Sequence, residues 1–240
     1  MNSRLTKTFI GTMVVAAGAS ITYAAAQSHT MHTYYALAIL ALAAATSRMK
    51  VKLPGIEGNM SVNLPFLLTA VITLSAVEAV AIACLSTVVQ CWPKQGGKFK
   101  AEQMLFNVSM MGLAASLANL VWNVGWSRAD WATEPLMLAA ATATFFFGQT
   151  VPVAVIIKLT QNESMRKIWT SIALMSFPYF VLSAGVTTML DLVSHRFGWQ
   201  AAVVIFPLMY GIHRSHRLYF AREAEALGAP ALARAASASA

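Results

Sequence analysis

Glu78 is the one acidic side chain set well inside an apolar run, and Ser75 stands three residues before it. An ionisable group within a membrane segment marks a functional site by default. Serine followed three residues on by an acid is also a helix-start signature, in which each side chain meets the other residue's backbone N–H. Glu78 thus has two readings: a ligand-contacting carboxylate, or the cap of a helix near an interface that water reaches. Asn107, Asn119 and Asn123 share a second apolar run, and the last two, four residues apart, share a helix face. Gln149 and Thr150 lie within a third run. An amide in an apolar setting must find a partner, either another helix or a ligand. Bonding between helices is the commoner use, and Gly112 and Ser116 add a small-residue packing pattern on the same helix as the asparagines. Glu78, Asn107, Asn119, Asn123 and Gln149 form the candidate ligand-binding set.

Other chemistry finds less support. His29 and His32 could face one metal ion, but two ligands without a third are a weak signal. His213 and His216 lie among Arg214 and Arg217 and suit lipid or partner contact. Cys84 and Cys91 are seven apart on one helix face, roughly 10 Å along the axis, too far for a disulfide. The chain has no G-x-S-x-G, no H-E-x-x-H, no glycine-rich phosphate loop and no pair of catalytic carboxylates. No catalytic residue, metal or cofactor is expected, and the chain reads as a non-enzyme.

The elements that must position these side chains are apolar. Of 240 residues, 58% are hydrophobic and 11% charged, against roughly a quarter charged in soluble domains; mean hydropathy is +0.61. Apolar runs fall at about residues 8–26, 34–46, 64–91, 104–126, 135–159, 168–192 and 199–212. The net charge of +8 forms no single patch, which argues against nucleic acid and for lipid headgroups. Fifteen of the 17 Lys and Arg residues instead form five clusters bordering the runs: Arg4/Lys7, Arg48/Lys50/Lys52, Lys94/Lys98/Lys100, Lys158/Arg166/Lys167 and Arg214/Arg217/Arg222/Arg234. Basic residues next to membrane segments stay cytoplasmic. Seven single spans would scatter the clusters over both sides. A turn at Ser75, splitting the long run into a helical hairpin over about 62–91, brings all five to one side.

This arithmetic predicts an all-α polytopic bundle of about eight segments with both termini cytoplasmic. The half-hairpin 64–74 is too short to cross about 30 Å of hydrocarbon, so it is expected to be extended by residues before it or to be partly re-entrant behind its neighbours. Before it, alternation up to Pro54-Gly55 predicts an extended stretch and a turn. Pro152, Pro178 and Pro207 can each kink a later segment. Phe9–Ala26 is read as a retained first span rather than a signal peptide. Residues 1–220 form one membrane bundle, and 221–240 an Ala-rich cytoplasmic tail.

Several stretches taken in order carry a family resemblance. Lys52-Leu53-Pro54-Gly55, then Gly58-Asn59-Met60-Ser61-Val62-Asn63, then the hairpin with Ala76-Val77-Glu78-Ala79, resemble the start of a MASE-type integral-membrane sensor region of bacteria. Phe106-Asn107-Val108, Ser176-Phe177-Pro178-Tyr179 and Gly198-Trp199-Gln200 follow, and Pro207-Leu208-Met209-Tyr210-Gly211-Ile212-His213-Arg214-Ser215-His216-Arg217-Leu218-Tyr219 is the strongest. The resemblance covers about residues 50–222. It implies a sensing role ahead of a GGDEF, HD-type or histidine-kinase output domain. Here Gly228 and Pro230 interrupt the exit helix and no output domain follows, so the expected output is lost, truncated or supplied by another chain. The hairpin is also similar, more weakly, to the membrane substrate-binding component of vitamin transporters.

The resulting expectation is a sensor in the bacterial inner membrane. It would bind a small-molecule ligand in the outer half of the bundle and signal to a cytoplasmic partner or through a homo-oligomer. A transporter component and a structural scaffold are the alternatives. On the sensing reading, Glu78→Ala changes ligand response without abolishing insertion.

Overall fold

The computed structural model describes residues 3–27, 33–52, 59–93, 99–124, 133–161 and 164–197, with Pro207, Tyr210, Gly211, Arg214 and Ser215. The expected last segment, the Ala-rich tail and the His29/His32 pair lie largely or wholly outside the described residues. Within them the chain forms seven helices: α1 (Ser3–Gln27), α2 (Thr33–Ser47), α3 (Leu64–Thr73), α4 (Ala76–Cys91), α5 (Ala101–Asn123), α6 (Thr133–Gln161) and α7 (Met165–Phe197). Four of them contain stretches long and apolar enough to cross a membrane: Arg4–Ala26, Ala101–Asn123, Glu134–Thr160 and Met165–Val193. The other three, α2, α3 and α4, are shorter apolar helices.

One small departure from an all-helical chain precedes α3. Strands β1 (Lys50–Lys52) and β2 (Asn59–Ser61) pair antiparallel in the register Lys50↔Ser61, Val51↔Met60 and Lys52↔Asn59. The extended stretch read from the alternation before Pro54-Gly55 is this first strand.

The chain does turn at Ser75. Its side chain accepts from the backbone N–H of Glu78 at 3.4 Å, while its own N–H donates to Glu78 Oε2 at 3.1 Å and its hydroxyl donates to the same oxygen at 2.7 Å. This reciprocal box starts α4 just after α3 stops at Thr73.

Helix α3 is the unusual element. Ten residues rise about 15 Å, half of a hydrocarbon core. Every residue from Leu64 to Val71 is buried, and α3 packs against α2, α4, α5 and α7. The Leu64 N–H donates to the Tyr179 hydroxyl at 3.2 Å, and the Thr187 hydroxyl donates to Pro65 O at 3.2 Å. Tyr179 lies about 21 Å along α7 from its start at Met165. Helix α3 therefore begins at mid-depth of α7, buried behind its neighbours as the short length demanded.

The remaining helices approach closely where small residues allow it. A Cβ on Gly148 would sit 2.9 Å from Ala114 Cβ and 3.2 Å from its Cα, and one on Gly112 would sit 2.9 Å from Cys84 Sγ. These two glycines let α6 and α4 lie against opposite sides of α5. Phe9 on α1 meets Phe106 on α5 with centroids 6.1 Å apart, and Ile10 and Met13 join the core. Helices α6 and α7 run continuously through Pro152 and Pro178. Outward, α7 presents Leu174, Phe177, Val181, Met189 and Leu192 along one exposed face. With Leu174 71% and Leu192 65% exposed, the face has the character of a lipid-facing belt rather than a water-facing one.

Candidate functional site

The packing of α5 against α6 fixes which helix ends lie together. Gly148 faces Ala114, and Gln149 Nε2 lies 3.0 Å from Met111 Sδ. The start of α5 and the end of α6 then line one cavity, so these helices are antiparallel. Helix α1 adds its own start, where Lys7 pairs with Glu102 at 3.8 Å. Both side chains are exposed, so the pair contributes little energy but marks the neighbourhood. Lys7, Lys100, Lys158 and the Arg166/Lys167 start of α7 are thereby gathered at one end of the bundle.

A cavity of about 710 Å³ opens at this basic end. That volume lies within the range that holds a drug-sized molecule. Its mouth is formed by Thr6, Gln90, Lys100, Glu102, Gln103 and Thr160. Apolar walls come from Ile10, Phe106, Met110, Val153, Ile156 and Phe180. The inner end reaches Ser61, Asn63, Leu64 and Tyr179, at the start of α3.

The five sequence candidates divide between two environments. Asn107 and Gln149 line the cavity. Their amides donate to sulfur: Asn107 Nδ2 to Cys91 Sγ at 3.4 Å and Gln149 Nε2 to Met111 Sδ at 3.0 Å. Thiol and thioether sulfurs are weak acceptors, so a ligand oxygen could compete for either amide.

Asn119, Asn123 and Glu78 lie elsewhere. Asn119 is buried and donates through Nδ2 to Val71 O at 2.8 Å. Val71 is in the last turn of α3, where backbone carbonyls lack helical partners. Asn119 thus caps the carboxyl end of α3 from a neighbouring helix. Asn123 Nδ2 donates to Asn119 O at 2.8 Å and to Asn119 Oδ1 at 3.1 Å, which holds that cap in place. Glu78 is buried within the Ser75 box. The cavity is lined by none of these three, and it opens at the basic end rather than in the opposite half of the bundle, where a pocket was expected. The difference has a physical cause. The hairpin turn consumes the polar groups around it to close two helix ends, whereas the unusual start of α3 leaves polar groups facing a space.

Asn63 was not among the sequence candidates. It is 3% exposed and lines the cavity. Its Oδ1 accepts from the Ser61 hydroxyl at 2.7 Å, and its Nδ2 has no hydrogen-bond partner among the described residues. Asparagine followed by Leu64-Pro65 is a legible helix-start signal, with proline in the first turn. What the signal lacks is any sign that this start is buried at mid-depth. Among the described residues, no group of three or more His, Cys, Asp or Glu could hold a metal ion.

Comparison with known proteins gives one finding. The MASE9 family model matches residues 27–218, four-fifths of the chain. No curated protein and no solved structure matches the chain.

Proposed function

The chain belongs to the MASE9 family of MASE-type membrane-associated sensor domains, and on that premise we propose that it is a polytopic sensor module whose ligand occupies the cavity at the basic end. The observation carrying this reading is the contrast among the amides of the helical bundle. Those lining the cavity have sulfur acceptors or, for Asn63 Nδ2, no partner among the described residues, whereas those outside it are bonded to backbone and to each other. Buried polar groups are ordinarily satisfied. One buried amide left with a spare donor, beside two half-buried amides held only by sulfur, around an apolar space of this size is what a ligand site requires.

On this reading the chain has eight membrane segments: the seven described helices, with α3 re-entrant beside α4, and a last segment ending near Arg214. The basic clusters keep both termini and the cavity mouth on the cytoplasmic face of a bacterial inner membrane. A ligand then enters from the cytoplasm or the inner leaflet. Occupancy acts on α7, which contributes Ile172, Ser176, Tyr179 and Phe180 to the cavity and leads into the last segment. The signal passes to a cytoplasmic partner or a second copy of the chain, and the module performs no chemistry itself.

Transport is the second reading, favoured by α3 alone. A half-depth helix whose start faces a cavity is also how secondary transporters build their substrate sites. The two readings separate on flux: a sensor binds its ligand without moving it across the membrane.

The test is thermal unfolding of the full chain in nanodiscs against a panel of metabolites, lipids and quinones, with native mass spectrometry of anything carried through purification. A ligand of the folded state must raise the melting temperature. Val153→Trp places an indole in the cavity wall and should abolish that rise. A ligand that stabilises both proteins equally binds elsewhere, and the cavity reading fails.

A further inference from the structure

We propose that the cavity takes a neutral, mainly apolar molecule carrying a carbonyl oxygen, and that this oxygen accepts a hydrogen bond from Nδ2 of Asn63. The inference rests on the cavity being the module's ligand site and adds the chemical class that fits it.

The start of α3 supplies the first part of the argument. Asn63 is the N-cap residue, with φ −90° and ψ −7°, and it makes no side-chain capping bond. The N–H groups of Phe66 and Leu67 already donate to Asn63 O at 3.1 and 3.2 Å, the Leu64 N–H donates to Tyr179, and Pro65 has none. The first turn is therefore occupied, and what this end of the helix offers a ligand is the side-chain amide. Ser61 holds Oδ1 of that amide at 2.7 Å. Its two N–H bonds remain for an acceptor, in a residue almost wholly removed from solvent.

The second part concerns charge. Among the described residues, the charged side chains lining the cavity are Lys100 and Glu102, and both are exposed. Among the described residues, the inner end is lined by Asn63, Ser61 and Tyr179 with apolar neighbours, and none of them is a cation that could neutralise a carboxylate or phosphate. Burying an unpaired anion there is far costlier than burying a carbonyl, which needs one hydrogen bond. The positive end of the α3 dipole favours the negative end of a C=O bond without requiring a full charge. Phe106, Met110, Val153 and Phe180 suit an apolar body for the rest of the molecule.

The probes are 2,3-dimethyl-1,4-naphthoquinone, 2,3-dimethylnaphthalene and 2-naphthoate, which share a ring skeleton and differ in being a neutral carbonyl compound, a hydrocarbon and an anion. Binding is read from melting-temperature titrations of the full chain in nanodiscs. The wild type should bind the quinone about tenfold tighter than the hydrocarbon, as loss of one buried hydrogen bond predicts. That preference should vanish in Asn63→Leu and also in Asn63→Ala, neither of which carries a side-chain donor. Val153→Trp should weaken both neutral probes. A wild type without preference, or a preference that survives both Asn63 variants, overturns the carbonyl–Asn63 contact while leaving the cavity as a ligand site. Tighter, Asn63-dependent binding of 2-naphthoate overturns the neutral class. Binding of no probe to the wild type, or binding insensitive to Val153→Trp, overturns this inference together with the reading it rests on.

Discussion

The two ends of α3 are only ten residues apart, yet they are finished in opposite ways. At its carboxyl end, Asn119 donates to Val71 O, Asn123 braces Asn119, and Ser75 with Glu78 closes the start of the next helix. At its amino end, Asn63 makes no capping bond and keeps an amide nitrogen unpaired beside a cavity. The two asparagines, Asn63 and Asn119, are each 3% exposed, so differing access of water to these side chains does not explain the contrast. One end is closed by side-chain bonds, and the other keeps a spare donor beside the cavity. Polar residues inside a membrane bundle therefore have to be judged by their partners, since burial and residue type are the same in both cases.

Substitutions can break this contrast from either side. The largest effect is expected from Asn119→Leu, which leaves the buried Val71 O without its side-chain donor and removes one of the two acceptors of Asn123. A loss of about 2–3 kcal/mol is expected, read as a lower melting temperature with probe affinity in the cavity unchanged. If affinity fell as steeply as stability, the two ends would not be separate in function. Next comes Gly148→Ala. Its new methyl meets Ala114 backbone and side chain, so overpacking of about 1–2 kcal/mol should appear in the same melting experiment. A neutral result would mean that α5 and α6 separate more readily than their contact suggests. Glu78→Ala removes half of the Ser75 box and should cost about 1 kcal/mol, again without altering binding. A change in ligand response with stability intact would restore Glu78 as a contact residue. The smallest stability effect is expected from the pair Ser61→Ala with Asn63→Leu, which removes a donor, its acceptor and the unpaired amide together. Stability should stay within about 0.5 kcal/mol of wild type. A large destabilisation would show that the amino end of α3 is structural after all.

Much of the architecture was legible because it rests on local chemistry. Ser75 and Glu78 are three residues apart, so their mutual cap needs only one turn of chain, and the hairpin follows from it. Five apolar runs mark α1, α2, α5, α6 and α7 to within about five residues at each end, and dividing the long run gives α3 and α4. The alternation before Pro54 gives the first strand. The site was less legible. Asn107 and Gln149 are sensible candidates on residue type, but so are Asn119 and Asn123 by the same rule. What separates them is whether the facing atom is a sulfur, as at Cys91 and Met111, or the carbonyl of Val71, 48 residues away in the chain. Asn63 carries a helix-start signal indistinguishable from those of solvated helices.

By itself the sequence determined the hydrophobic segments, the turn at Ser75 and the basic clusters that border the segments. These depend on hydropathy, on capping within one turn and on counting charge, all of which are local or additive. The tertiary structure alone decided how deep α3 begins, which amides find strong acceptors, and that the cavity opens at the basic end rather than beside Glu78. Those outcomes depend on which helices meet and at what height, which no single segment encodes. A hydrogen-bond donor is a property of a residue. Whether it is left over for a ligand is a property of the packing around it.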